Sequence, residues 1–256
     1  MELNLNVVVV TQARLGSTRL PNKVLKLIKG KSLLEIQIDR IKKAKQINSI
    51  YIATTVNKRD KKIEELADKM NIYSFRGSEE DVLDRFYQTL KNIKPDFIVR
   101  LTSDNPLIDP KLLDEVIIEA KKKKLDYYSN TLDAKYPDGQ DIEVFTFCAL
   151  ENAWENSKLN SDREHVTTYI INNSSYFGGN IFTSNNHDIK ENYSSVRLTV
   201  DEPEDLEVVS QLILNLGFNK SWKEYSDYYL KNTNISSLNI TIKRNEGLLK
   251  SLKDNL

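Results

Sequence analysis

Residues 10–23 read VTQARLGSTRLPNK, which sets Arg14, Arg19 and Lys23 around Gly16, Ser17 and Thr18, directly after the apolar run Val7-Val8-Val9-Val10. A glycine among small hydroxyl residues lets backbone N–H groups approach phosphate oxygens, and flanking cations neutralise their charge. The three cations lie five and four residues apart, so they converge only if the loop folds back. Gly16 permits that, and Pro21 fixes one backbone angle. The same residue types would equally make a solvated basic turn. The spacing is not that of a P-loop, which needs a later Gly-Lys-Ser/Thr. Nor is it a dinucleotide fingerprint, which needs three glycines where only Gly16 stands.

Carboxylates supply the complementary chemistry. Asp104 closes FIVRLTSD and Asp201 closes VRLTVD, so each follows an apolar, strand-like run. Magnesium takes hard oxygen ligands, commonly only one or two of them protein carboxylates. Either aspartate could instead cap a helix, Asp104 before NPLIDP and Asp201 before EPEDLE, where Pro203 suits a first turn. In PDGQDIEVF, Pro137-Asp138-Gly139 is a turn, after which Asp141 and Glu143 share one strand face and Ile142 and Val144 the other. Those two carboxylates could hold hydroxyls, an amine or a second metal, or face solvent on an edge strand. SDREHV sets Arg163 and His165 near one helix start, a place that suits an acidic group. A structural hydrogen bond is the plainer role for His165, and His187 in SNNHD reads as a surface loop residue.

The elements that must position these residues alternate. NVVVVTQA is a strand buried on both faces, and residues 32–45 form a helix capped by Ser32 with Glu35 in the capping-box position. SIYIATTV, IYSFRG and DFIVRLTSD are further strands; KRDKKIEELADKMN, EDVLDRFYQTLKNI and DPKLLDEVIIEAKKKK are helices between and after them. In the second of these helices Ser78 is the expected cap, with Asp81 three residues on. This order predicts an α/β fold with a mostly parallel sheet, whose ligands bind beyond the carboxyl ends of the strands. The opening loop and the Ser103-Asp104 turn should therefore face one crevice. From residue 126 on, QDIEVFTF and SVRLTV read as strands, and CALENAWENSK, DREHVTTYIINN and DEPEDLEVVSQLILNL as helices. No Gly/Ser linker or internal repeat interrupts the chain, so residues 1–256 are read as a single domain. Residues 126–195 would be an inserted lobe over the crevice, and the polar tail 235–256 would dock on a partner chain or stay mobile.

Composition narrows the function classes. Lys+Arg and Asp+Glu both number 37 in 256 residues, a zero balance that favours neither nucleic acid nor a membrane surface as partner. The single cysteine, Cys148, excludes an intrachain disulfide, and its apolar neighbours place it in a core. MELNLN lacks a signal peptide's basic start, and no apolar run approaches the ~20 residues of a membrane span, so a cytoplasmic protein is expected.

QARLGSTRLPNKVL resembles the signature of the CMP-sugar-acid synthetases, the sialic-acid and KDO cytidylyltransferases, and more closely that of the SpsF-type cytidylyltransferases of spore-coat and surface-polysaccharide pathways. The resemblance continues through FRGSEEDVLDRFYQ (75–88), VRLTSDNPLIDP (99–110), YPDGQDIEVF (136–145), DREHVTTYI (162–170), RLTVDEPEDLEVV (197–209) and IKRNEGLLKSL (242–252). Two departures stand out: Asn22 replaces a frequent glycine, and Ser103-Asp104-Asn105 a frequent Gly-Asp-Cys.

What the resemblance implies is a Rossmann-like nucleotidyltransferase fold of the nucleotide-diphosphosugar (GT-A-like) type, with helices on both faces. It implies a Mg²⁺-dependent transfer of CMP from CTP to an acidic sugar or phosphorylated acceptor, with release of pyrophosphate. Arg14, Gly16, Ser17, Arg19 and Lys23 would hold the triphosphate, joined by Ser103 and Asp104, while Asp104 and Asp201 would hold the metal. Arg14, Lys23, Asp104 and Asp201 would then be the catalytic set. The backbone around Ala13, with Ser78 and Arg85, would read the cytosine. Asp138, Asp141, Glu143, Arg163 and His165 would bind the acceptor, and a homodimer is implied. Two other readings compete. A glycosyltransferase of related fold would carry an Asp-x-Asp motif, which TSDNP lacks; a non-catalytic relative would have lost part of the charged set.

Overall fold

Four consecutive valines give β1 (Val7–Gln12) side chains to bury on both faces, and all four are fully buried. The computed structural model describes residues 5–244 of the chain. A two-residue hairpin, β2 (Leu27–Ile28) and β3 (Lys31–Ser32), leads into α1 (Leu33–Ile41). Ser32 caps that helix in a reciprocal capping box with Glu35, as its spacing predicts. Then come β4 (Ser49–Thr55), α2 (Lys61–Lys69), β5 (Tyr73–Gly77), α3 (Val82–Leu90), β6 (Phe97–Thr102) and α4 (Pro110–Lys123). The second half supplies β7 (Tyr127–Ser129), β8 (Glu143–Thr146), α5 (Phe147–Asn156), α6 (Asn160–His165), α7 (Thr168–Asn172) and β9 (Ser184–Asn186). The helices α8 (Pro203–Leu216), α9 (Trp222–Lys231) and α10 (Thr233–Ser236) follow.

The strands form one sheet in the order β5-β4-β1-β6-β8-β7-β9. β5, β4, β1 and β6 run parallel, β8 lies antiparallel to both its neighbours, and β9 is parallel to β7. Helices cover both faces. Val7 and Val9 pack with Leu34, Ile63 and Leu112 of α1, α2 and α4, while Val8 and Val10 pack with Phe86, Leu150 and Ile170 of α3, α5 and α7. A third apolar cluster joins α8 and α9 to Leu33, Val196 and Leu198. The α/β class and its mostly parallel sheet are thus as expected.

Several local expectations are corrected. The cap of α3 is Asp81, whose carboxylate accepts from Asp84 N–H at 2.8 Å; Ser78 Oγ accepts from Asp81 N–H one turn earlier, at 3.0 Å. Neither Asp104 nor Asp201 caps a helix. Asp109 caps α4, and Glu202 precedes α8. The helix expected across 162–173 is two helices, because Val166 turns to φ +65° between them. Arg163 and His165 therefore lie in the last turn of α6, not at a helix start. SVRLTV stays extended but pairs only through a single bridge, Arg197 to Asp138. β8 is an interior strand rather than an edge, and Cys148 is exposed on α5 rather than in the core. His187 is half-buried, donating or accepting at Tyr128 OH (3.1 Å) and stacked on Tyr136. The tail residues up to 244 pack on their own molecule, through a fully buried Asn239; residues 245–256, with most of IKRNEGLLKSL, lie outside the described residues.

One close approach fixes how the second half meets the first. Gly139 sits at φ +104° against the Leu198–Thr199 backbone, where a Cβ would lie 2.6 Å from Thr199 N. Around it, Asp138 C=O accepts from Leu198 N–H (2.7 Å) and Thr199 N–H (3.1 Å). Gly139→Ala is expected to destabilise the protein by at least ~1–3 kcal/mol, the usual cost of a strained backbone conformation. Urea unfolding measures it, and an unchanged midpoint would contradict this reading of the contact.

Candidate active site

The opening loop is held from below before any ligand enters. Asp60, fully buried, accepts from Leu15 N–H at 2.8 Å and from Thr55 Oγ1. Gln37, buried on α1, accepts from Thr11 Oγ1 at 2.9 Å and donates to the Thr102 carbonyl at 2.7 Å, bracing the carboxyl ends of β1 and β6 together. Asn22 takes the left-handed conformation, φ +56°, that a glycine there would provide. Asparagine tolerates it, so the loop closes despite that departure. Gly16 has Arg59 and Glu79 side chains close by, at 2.4 Å and 3.2 Å from the position a Cβ would take.

The three cations of the loop line one crevice of about 800 Å³. Each faces carboxylates across it. Arg14 meets Glu79 at 3.2 Å; Arg19 meets Asp201 at 3.2 Å and Glu202 at 3.0 Å. Lys23 Nζ stands between Asp201 Oδ1 at 2.7 Å and Asp104 Oδ2 at 3.2 Å. Burial works against the Lys23 charge, but the two aspartates outweigh it and hold its pKa above the ordinary 10.5. Asp104 is brought there by its backbone, whose carbonyl accepts from Val200 N–H at 2.8 Å. Ala13, Gly16, Ser17, Arg85 and Ser103 line the same crevice. Ser78 stands behind it, its carbonyl accepting from Arg85 Nη1 at 2.6 Å. Burial, then the neighbouring Arg14 charge, lowers the Arg85 pKa to about 10.

Arg197 anchors the carboxylate side. It binds Asp205 through Nε at 2.8 Å and Nη2 at 2.9 Å, Asp138 through Nη1 at 2.6 Å and Asp201 at 3.2 Å. Burial opposes that charge, yet the Asp205 hydrogen bonds and the three carboxylates raise its pKa. On Asp201, burial is overcome by Lys23, Arg19 and Arg197, which hold the carboxyl below its usual range. Burial and then Asp141 push Asp138 up to about 7, with Arg244 and Arg197 pulling the other way.

A second crevice of about 440 Å³ shares Gln12, Arg19, Thr102, Asp104 and His165 with the first. Asp138, Asp141 and Glu143, three of the residues expected at the acceptor, line it together with Asp201. Only Glu143 lies in β8, which begins there; Asp141 precedes the strand, and neither carboxylate is open. Glu143 takes hydrogen bonds from Tyr127 OH (2.7 Å), Thr167 Oγ1 (2.6 Å) and Arg100, and Asp141 takes one from Arg244. Arg163 lies in the first crevice instead, bound to Asp81 at 2.6 Å and to the Trp154 and Ser157 carbonyls. His165 lies between the two crevices, and burial holds its pKa below 6.5, so near neutral pH it offers an uncharged imidazole rather than a cation. Gln12, Glu79, Arg100, Arg197 and Arg244 were not singled out by sequence reasoning. A charge inside the apolar run FIVRLT was the available signal for Arg100.

A cationic loop facing aspartates across the carboxyl ends of parallel strands is the layout of a nucleotidyltransferase. The sequence model of the family described as Cytidylyltransferase matches residues 8–237. Among curated relatives, Uncharacterized protein MJ1063 of Methanocaldococcus jannaschii is 37% identical over 94% of this chain and 97% of its own. The spore coat polysaccharide biosynthesis protein SpsF of Bacillus subtilis is 36% identical over 83% of this chain and 88% of its own. A solved cytidylyltransferase from Leptospira borgpetersenii superposes with a TM-score of 0.85 at 32% identity, over 94% of this chain and 100% of that one. The chain belongs to the cytidylyltransferase family, whose members are CTP-dependent nucleotidyltransferases, and the family resemblance read from its sequence stands. Among the described residues, no helix is long and apolar enough to cross a membrane.

Burial also lowers the pKa of His187. A group whose folded pKa is lowered leaves the unfolded chain binding more protons as pH falls below 6.5, so both histidines make stability fall there. Both imidazole resonances should titrate below 6.5 in NMR spectra of the folded protein; a midpoint for either at or above that value would contradict the burial argument.

Proposed function

We propose that the protein transfers CMP from CTP to a small anionic acceptor, an acidic sugar or a phosphorylated compound, and releases pyrophosphate. An acceptor hydroxyl oxygen forms a bond to the α-phosphorus, the bond from that phosphorus to the bridging oxygen breaks, and the hydroxyl proton leaves to solvent or a nearby base. Such chemistry rests on positioning and charge neutralisation more than on covalent help. The observation that carries the reading is Lys23 Nζ held between Asp104 and Asp201 at the base of the cationic loop.

Those two carboxylates already converge on one cation, so the donor set fits Mg²⁺. Among the described residues no cluster of three or more His, Cys, Asp or Glu is arranged to hold a metal, so the remaining ligands would come from water and phosphate oxygens. Bound there, Mg²⁺ would supply charge neutralisation at the transferring phosphate. Arg14, Arg19 and Lys23 bind the triphosphate, with Ser17 and loop N–H groups as donors. Gln12 Oε1 and Arg85 Nε are buried without a hydrogen-bond partner among the described residues, one an acceptor and the other a donor. Their positions on the first crevice wall suit the base or ribose, beside the Ala13 backbone. The second crevice takes the acceptor.

The relationship to SpsF supports a place in surface polysaccharide or glycan biosynthesis. The family match favours this reading over a glycosyltransferase or a non-catalytic relative. A homodimer working in the cytoplasm, where CTP is made, completes the proposal.

Pyrophosphate release tests it. With each nucleoside triphosphate, Mg²⁺ and a panel of acidic sugars and phosphorylated acceptors, release should need CTP and an acceptor together. Asp104→Asn and Asp201→Asn should each lower kcat by about 10²-fold or more, with unchanged circular dichroism. Near-normal turnover in either would remove that residue from the site.

A further inference from the structure

Among the described residues, the last to reach the acceptor crevice is Arg244. After α10 the backbone passes under Arg197, where Asn239 Nδ2 donates to the Arg197 carbonyl (3.2 Å) and to Asp205 Oδ1 (2.9 Å), and Asn239 Oδ1 accepts from Tyr229 OH (2.8 Å). That buried anchor delivers Lys243 and Arg244 to the crevice wall. Arg244 Nη1 donates to the Tyr136 carbonyl at 3.0 Å, and Nη2 binds Asp141. A guanidinium carries five N–H donors in a rigid fork, so these two contacts orient Arg244 without exhausting it.

Arg100 on β6 is placed in the same manner. Glu143 holds its Nη1, while its Nε is buried with no partner among the described residues. Asp141 and Glu143 are thus engaged as orienting groups for two arginines, not as open acceptors for a sugar's hydroxyls. With Asp104, Asp138, Asp141 and Glu143 around this space, an anion entering it needs a fixed cation at close range. The fork of Arg matches planar carboxylate and phosphate oxygens in a way a lysine does not.

We infer that Arg244, oriented by Asp141 and assisted by Arg100, binds the anionic group of the acceptor and so selects carboxylate- or phosphate-bearing acceptors over neutral polyols. This inference rests on the CMP-transfer reading above. It assigns the acceptor's charged end to the C-terminal segment, away from Arg163.

Calorimetry on the full chain tests it without turnover. The protein is saturated with Mg²⁺ and α,β-methylene CTP, which occupies the triphosphate site, and then titrated with 3-deoxy-manno-octulosonate, glycerol 3-phosphate or neutral glycerol. At least one of the two anions should bind and glycerol should not; which anion binds tells a carboxylate acceptor from a phosphate one. Arg244→Gln should weaken the anion at least tenfold, and Arg244→Lys should recover part of that loss. The CTP analogue should bind both variants within twofold of wild type, which separates a lost contact from a lost fold. Wild-type anion affinity in Arg244→Gln, or no anion binding to the loaded wild type, would overturn the inference. Failure of wild type to take up the CTP analogue would defeat the transfer reading itself, and this inference with it.

Discussion

Lys23 Nζ lies within hydrogen-bond reach of both Asp104 and Asp201, and that shared contact organises the molecule. The three residues come from distant parts of the chain: the loop after β1, the turn after β6 and the extended run before α8. Two carboxylates gathered at one point repel each other and resist burial, so their placement depends on a cation between them. Lys23 is that cation. Under the proposed function a triphosphate would offer the same ammonium a richer set of negative oxygens, and the aspartates would then be free to take a divalent ion.

The rest of the structure keeps that contact in register. Gln37 ties the ends of β1 and β6, Asp60 pins the loop at Leu15, and Val200 N–H holds the Asp104 carbonyl. Arg197 gathers Asp138, Asp201 and Asp205 around one guanidinium, so the wall of the second crevice and the Lys23 contact share a common anchor. Gly139 lets the Asp138 turn pass against the Leu198–Thr199 backbone closely enough for those bonds to form.

Much of this was legible in the sequence, and the gaps have physical reasons. The continuous valines of β1, the Ser32–Glu35 capping box and the turn that carries Asp104 after β6 express local rules and fell where those rules put them; the strand expected before Asp201 did not form. β7 and β9 are three residues each, and Ser184–Asn186 carries no apolar alternation, so neither announces itself. The break between α6 and α7 falls at Val166, a residue with no reputation for ending helices, which is why Arg163 and His165 were expected at the wrong end. Glu143 in a strand was readable; that Asp141 falls before β8, and which groups hold the two carboxylates, was not. Arg100 and Arg244 stand 43 and 103 residues away in sequence, and only the folded chain brings them in.

The aspartate seat can be observed directly. Crystals grown with CTP and Mn²⁺, measured for anomalous scattering, should show a manganese peak bound by both Asp104 and Asp201, with Lys23 turned onto phosphate oxygens. A peak away from those side chains, or a lysine still lodged between them with the triphosphate in place, would contradict the account.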